Sequence, residues 1–161
     1  MNIFFISYEQ DECAKALDNK RLIKAVLETA QLLSNAMHIN HIAGAPYKLT
    51  HQNHPCTKWV STTIGFDWTR TYFYHICAEY EFRYDRRHEC IKFMELFNDA
   101  STRMPDSSMK RWANPPNVTS FKDEEDVCIA YKKYLLAKWD KDKSPPTWYF
   151  RQVPCWDVNR S

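Results

Sequence analysis

Apolar positions recur at helical spacing through most of this chain. The clearest case runs from residue 19 to about 37, where Leu22, Ile23, Val26, Ala30, Leu33 and Met37 fall on one side of a helical wheel. Arg21, Lys24, Glu28, Gln31 and Asn35 form a polar stripe on the other side, and Asp18 stands at the N-cap. Ahead of it, "NIFFIS" (2–7) is a short apolar run that reads as an opening strand or a buried arm, and residues 11–17 read as a short helix. A loop over 39–54 holds Gly44 and Pro46. Pro55 then suits the first turn of a helix, and helical patterns follow over about 58–63, 66–84 and 86–98. Residues 101–122 carry three prolines with Asn114, Asn117 and several serines, and read as a loop. Residues 123–139 read as a helix with an acidic first turn and basic later turns, the order that the helix dipole favours. From Lys143 onward, Pro145, Pro146 and Pro154 predict an extended tail that bears Trp148, Tyr149, Phe150 and Trp156. The expectation is an all-α fold: one compact helical bundle spanning 1–161, opened by a short extended segment and closed by an aromatic tail.

Composition narrows the function more than the fold. Hydrophobic residues make up 44% of the 161, which excludes a disordered chain. Aromatic residues at 15% supply rings that fill cores and also stack on bases. With Gly44 and Gly65 as the only glycines, no Gly-rich phosphate loop can be built, so P-loop and Rossmann nucleotide binding are excluded. The formal net charge of +2 is too small to mark a nucleic-acid binder, and local clusters must carry such a claim. Six cysteines (Cys13, Cys56, Cys77, Cys90, Cys128 and Cys155) include no CxxC pair. They read as reduced, mostly buried thiols of a cytoplasmic protein. No apolar run approaches the ~20 residues of a membrane span, and "MNIFFISYEQ" turns acidic too soon for a secretory signal.

Four constellations could carry chemistry, and each has a plain structural alternative. The stripe around Glu28 is either a solvated helix face or a cleft floor, in which Glu28 acts as general base or charge stabiliser and Lys20, Arg21, Lys24 and Gln31 hold a nucleic acid or nucleotide. His51, Asn53, His54 and Cys56 are either a loop with a helix cap or groups that touch a phosphate or base. As a zinc site they offer too few ligands, so no metal is expected. "RYDRRHE" brings Arg83, Arg86 and Arg87 together, as a solvated helix junction or as phosphate forks. "PPTWYFRQ" places Trp148 and Tyr149 beside Arg151, as a tail anchored by its rings or as a stacking platform for bases. No Gly-x-Ser-x-Gly supports serine-nucleophile chemistry.

Several short islands line up with a known family. "LDNKRLIKAVLE" (17–28) resembles the opening of the pyrimidine-dimer DNA glycosylase family, in which a Leu-Asp step leads into a helix with a glutamate at this distance. Tyr47-Lys48 and Asn53-His54-Pro55 resemble its Tyr-Lys-Asn-His-Pro segment with an insertion, "PTWY" (146–149) its C-terminal motif, and "EYEFRYD" (79–85) its acidic helix end with an Arg-containing turn. The resemblance implies a compact helical fold and a DNA substrate with a damaged base. It also implies an α-amino nucleophile on Met1, or on Asn2 after processing, with Glu28 as the catalytic carboxylate. There are two departures: Leu27 stands where the family commonly has Arg, and Asn2 is a poor context for loss of the initiator Met.

The expected function is therefore a DNA glycosylase-like enzyme, with or without strand cleavage by AP-lyase chemistry. The alternatives are a non-catalytic nucleotide or nucleic-acid binder on the same scaffold, and an interaction protein that docks a partner through its aromatic tail. No cofactor is called for, the partner is DNA or a nucleotide rather than a membrane, and the oligomeric state is not legible.

Overall fold

The computed structural model describes residues 2–105 and 115–160. Their six α-helices are α1 (Gln10–Ala16), α2 (Asn19–Ile39), α3 (Pro55–Val60), α4 (Thr63–Tyr84), α5 (Met94–Thr102) and α6 (Val127–Lys141), with a 3-10 turn over Glu89–Phe93 ahead of α5. No described residue is in a strand, so the fold is all-α. No described helix is long and apolar enough to cross a membrane.

The opening apolar run is a buried arm, not a strand. Phe4 adopts φ 41, and the Ile6 N–H donates to the Phe4 carbonyl at 2.9 Å, a tight turn that breaks the extended geometry of a strand. Ile3, Phe4, Phe5 and Ile6 are nevertheless all buried. Phe5 packs against Trp59 and Trp68, while Phe4 stacks on Tyr134, so the arm ties α6 to the α3–α4 layer.

The two long helices, α2 and α4, pack on each other, and α1 crosses α4. Leu22, Val26, Ala30, Leu33 and Met37 lie on the buried face of α2 as the wheel requires. Ile23 does not: it sits at the edge of that arc and is 44% exposed. The polar stripe departs from its wheel as well, since Arg21 and Asn35 are buried. Chain from elsewhere covers both ends of the stripe: Asp142, just past α6, pairs with Arg21, and the backbone of Thr50 covers Asn35.

Local chemistry sets the helix boundaries. Asp18 is the N-cap of α2, but its carboxylate serves Arg21 and the Trp139 indole N–H rather than the backbone. Pro55 occupies the first turn of α3, which therefore starts three residues earlier than its apolar pattern suggests. Thr62 caps α4 by accepting the Gly65 N–H at 3.1 Å. Gly65 is required there because a Cβ would lie 2.0 Å from the Trp59 carbonyl oxygen. The expected continuous helix over 86–98 is broken. Asp85 ends α4 in the left-handed conformation (φ 50), a 3-10 turn follows, and α5 starts only at Met94. α6 begins at Val127, where the Asp126 carboxylate accepts the Cys128 and Ile129 N–H groups, so residues 123–125 precede the helix instead of forming its first turn. Of the expected loop over 101–122, α5 takes the first two residues and residues 106–114 lie outside the described residues.

The tail is extended, as its prolines demand, and is stitched down along its length. Trp148 donates to the Ala16 carbonyl at 3.0 Å and packs edge-on against Trp139, which also stacks on Trp156. All six cysteines are free thiols, and only Cys155 is exposed.

Candidate functional site

The stripe on α2 divides into structural ends and an open middle. Glu28 and Gln31 are half-buried and Lys24 is exposed. The charge of Glu28 is felt at Tyr72 of α4: burial foremost, then the charges of Cys13 and Glu28, push the Tyr72 phenol well above its ordinary value. The Tyr72 hydroxyl is buried and has no hydrogen-bond partner among the described residues. Rings connect this spot to the start of the chain. Tyr72 stacks on Trp68 at 5.2 Å, and Trp68 lies 4.5 Å from Phe5, centroid to centroid.

One end of α2 carries a loop clamp. Asn35 binds both backbone groups of Thr50: its Nδ2 donates to the carbonyl at 2.8 Å and its Oδ1 accepts the N–H at 3.0 Å. His38 adds a 2.8 Å contact to the Tyr47 carbonyl. The clamp holds exposed His51 and Asn53 at the Gln31–Asn35 end of the stripe, with His51 in the left-handed region (φ 50). Asn35→Ala is expected to cost about 1–2 kcal/mol in urea denaturation and to speed hydrogen exchange in residues 48–53. Unchanged exchange there would show that the loop holds itself.

His54 caps α3, accepting the Cys56 N–H on Nδ1 at 3.1 Å. Burial holds its pKa below the ordinary value, which favours the neutral ring that this acceptor role needs. His88 and Cys90 repeat the device ahead of the 3-10 turn. Burial pushes the Cys56 thiol up to about 11, opposed by the facing Ile3 backbone, so Cys56 is no thiolate nucleophile. That contact also puts the start of the arm beside α3. Asn2 is half-buried, with its Oδ1 buried and unpartnered among the described residues. Met1 lies outside the described residues. Among those residues no three His, Cys, Asp or Glu groups are placed to hold a metal.

The arginines divide by burial, which corrects the surface role expected of several. Arg83 is fully buried and donates to Glu79, the Leu17 and Lys15 carbonyls and Asn19 Oδ1, so it has no group left for a phosphate. Arg151 forks onto the same Glu79 at 2.9 and 3.0 Å. Burial alone would raise the Glu79 carboxyl, but Arg151 and Arg83 outweigh it and hold the group below its ordinary value. Arg21 is closed off by Asp18 and Asp142, each at 2.9 Å. Trp148 is an anchor rather than a stacking platform. Arg86 and Arg87 remain exposed, Arg86 bonded to the Tyr80 hydroxyl and Arg87 loosely to Glu81. Lys20 is exposed and pairs with Asp142 at 3.2 Å. Tyr149 is 51% exposed, although its backbone N–H is fixed on the Asn19 side chain. Lys20, Tyr149, Lys141 and Lys143 are among the residues that line an open cleft of about 770 Å³. Tyr72 and Trp68 carry no signal in the sequence, because their roles exist only after the helices have met; Glu79 lies in the 79–85 island, but its pairing with Arg151 exists only after the tail has folded back.

A family model described as pyrimidine dimer DNA glycosylase matches residues 1–92, more than half of the chain. No curated protein and no solved structure matches it. The islands at 17–28, 47–48, 53–55 and 79–85 fall within the match, and the tail island at 146–149 falls beyond it.

Proposed function

This chain belongs to the pyrimidine dimer DNA glycosylase family, and from that premise we propose that it excises a damaged base from DNA with Glu28 as the catalytic carboxylate and an α-amine at the chain start as the nucleophile. The family makes DNA its substrate and base repair its chemistry. The observation that carries the finer reading is the match over 1–92, which contains the chain start, Glu28 and the Asn53-His54-Pro55 segment. The path of rings from Phe5 through Trp68 to Tyr72, where the charge of Glu28 is felt, supports it.

In this reading the amine nitrogen attacks C1′ of the damaged nucleotide as the bond from C1′ to the base breaks. The base leaves with that electron pair and takes up a proton. The nitrogen loses a proton, the sugar ring opens, and an imine links protein to DNA. Removal of a C2′ proton then expels the 3′ phosphate oxygen and cuts the strand. An α-amine suits this role because its pKa, about 7.7–8.0, leaves a useful neutral fraction at physiological pH. The Glu28 carboxylate stabilises the positive sugar and assists the C2′ proton transfer. With Leu27 in place of the family's common Arg, phosphate contact near Glu28 falls to Lys20 and Lys24, joined by His51 and Asn53 from the clamped loop.

Borohydride reduction in the presence of a lesion-bearing oligonucleotide is expected to trap a covalent adduct, and acetylating the α-amine is expected to abolish it. Intact mass identifies whether that nitrogen belongs to Met1 or Asn2. Leu27 also favours a second reading, a non-catalytic DNA binder on the same scaffold. Saturable binding with neither adduct nor released base across a panel of lesions would establish that reading and remove the enzyme.

A further inference from the structure

One stripe of α2 is open to solvent. Lys20, Ile23, Lys24 and Leu27 are exposed at helical spacing, and half-buried Glu28 and Gln31 continue the stripe. Within it Ile23, 44% exposed, and Leu27, 39% exposed, form an apolar ridge one turn long. Lys20 and Lys24 stand beside that ridge, also one turn apart. Leu27 immediately precedes Glu28, and Ile23 is among the residues that line the cleft with Lys20 and Tyr149. A single exposed leucine needs no explanation. Two aliphatic side chains in a row with cations, next to the carboxylate proposed for catalysis, do need one, because neither can hydrogen-bond or pair with a phosphate.

The cations indicate what lies against this stripe. DNA is the substrate of the family, and Lys20 and Lys24 suit its phosphates. The ridge beside them then meets sugars and bases, the apolar parts of the same ligand. Chemistry at C1′ requires the damaged nucleotide to leave the stack. Its departure leaves two base faces without a neighbour. An aliphatic side chain covers those faces without demanding a hydrogen bond, and leucine and isoleucine are among the side chains that wedge between base steps. The spacing fits as well: one helical turn sets Ile23 and Leu27 about 6 Å apart along the axis, close to two base steps of about 3.4 Å each. An arginine, common in the family at the position of Leu27, would bind a phosphate there instead. We propose that Leu27 is a wedge that enters the base stack and fills the gap left by the damaged nucleotide, with Ile23 packed on the adjoining step. The wedge makes the chain specific for a lesion within a duplex over the same lesion in a single strand. The inference rests on the reading that Glu28 acts at the sugar of that nucleotide.

The test mixes the full chain, in stopped flow, with a duplex that carries one thymine dimer and a 2-aminopurine on its 3′ side. Fluorescence is expected to rise as the stack opens. Leu27→Ala should remove most of that rise while changing the dissociation constant by less than about threefold, since the phosphate contacts remain. Leu27→Met, which keeps an apolar side chain of similar size, should preserve the rise, and circular dichroism checks that both variants fold. In single turnovers Leu27→Ala is expected to slow base release from the duplex by about 10–100-fold, and from the same strand unpaired by less than about threefold. Equal losses on the two substrates overturn the proposal. So does a parent chain that gives no rise, or a rise that persists in Leu27→Ala. Fluorescence reads the stack and not the chemistry. A Leu27-dependent rise, together with base release that Glu28→Gln leaves unchanged, would therefore remove the catalytic reading and leave the wedge standing.

Discussion

Glu28→Gln is expected to slow base release by about 10²–10⁴-fold, the range associated with loss of one acid–base group. The amide keeps the shape of the side chain at its half-buried position on α2 and removes only the charge. Single-turnover release from a lesion-bearing duplex measures the effect on chemistry, and a binding titration on the same duplex separates it from affinity. Because the carboxylate acts on charge that develops at the sugar, binding should change far less than the rate. Equal losses in both would make Glu28 a contact to bound DNA and remove it from the chemistry. A rate within a factor of two of the parent would leave the proposed mechanism without its carboxylate.

Glu79→Ala is expected to destabilise the fold by about 3–5 kcal/mol, because it strands a buried guanidinium. Glu79 is 4% exposed, and the Arg83 side chain paired with it is fully buried, so water cannot replace the lost partner. Arg151→Ala should cost less: Arg151 is 32% exposed, and Arg83 still satisfies Glu79 once it is gone. Guanidinium denaturation of the three chains checks the order, and a Glu79→Ala cost below that of Arg151→Ala would contradict this account of the network. The same carboxylate gives a pH dependence. Its folded pKa is lowered from an ordinary value of 4.5, so its contribution is fully present above about that pH. As the pH falls further, toward and through the lower folded pKa, the contribution is lost. Asp142, held down mainly by its hydrogen bond from Arg21, acts in the same direction. Acid unfolding of the parent should therefore steepen below about 4.5, and Glu79→Gln should flatten it.

Much of the helical order was legible because it rests on nearby residues. Pro55, Thr62 and Asp126 start their helices through contacts no more than three residues away, and the buried row of α2 follows from spacing alone. The end of α4 at Tyr84 was legible as the gap between the patterns at 66–84 and 86–98. The 3-10 turn over Glu89–Phe93 and the late start of α5 at Met94 were not, because residues 86–98 continue one helical pattern in the sequence. Glu28 and His54 could be picked out as candidates because they lie within islands that resemble the family, inside its matched residues 1–92. The arginines misled, because a cation looks the same in sequence whether water or a buried carboxylate waits for it. "RYDRRHE" holds one arginine with no exposed side chain and two that face solvent.

By itself the sequence determined the helical class, the excluded nucleotide-binding folds, the family and the glutamate on the second helix, all of which depend on local spacing or on residues read in order. Tertiary structure alone decided that the N-terminal run is an arm under Trp59 and Trp68, that Arg83 and Arg151 share Glu79, and that Asn35 pins a loop fifteen residues away. The physical reason is that burial and pairing belong to surfaces brought together by folding: Arg151 is 72 residues from Glu79 along the chain, yet its nitrogen lies 2.9 Å from the carboxylate.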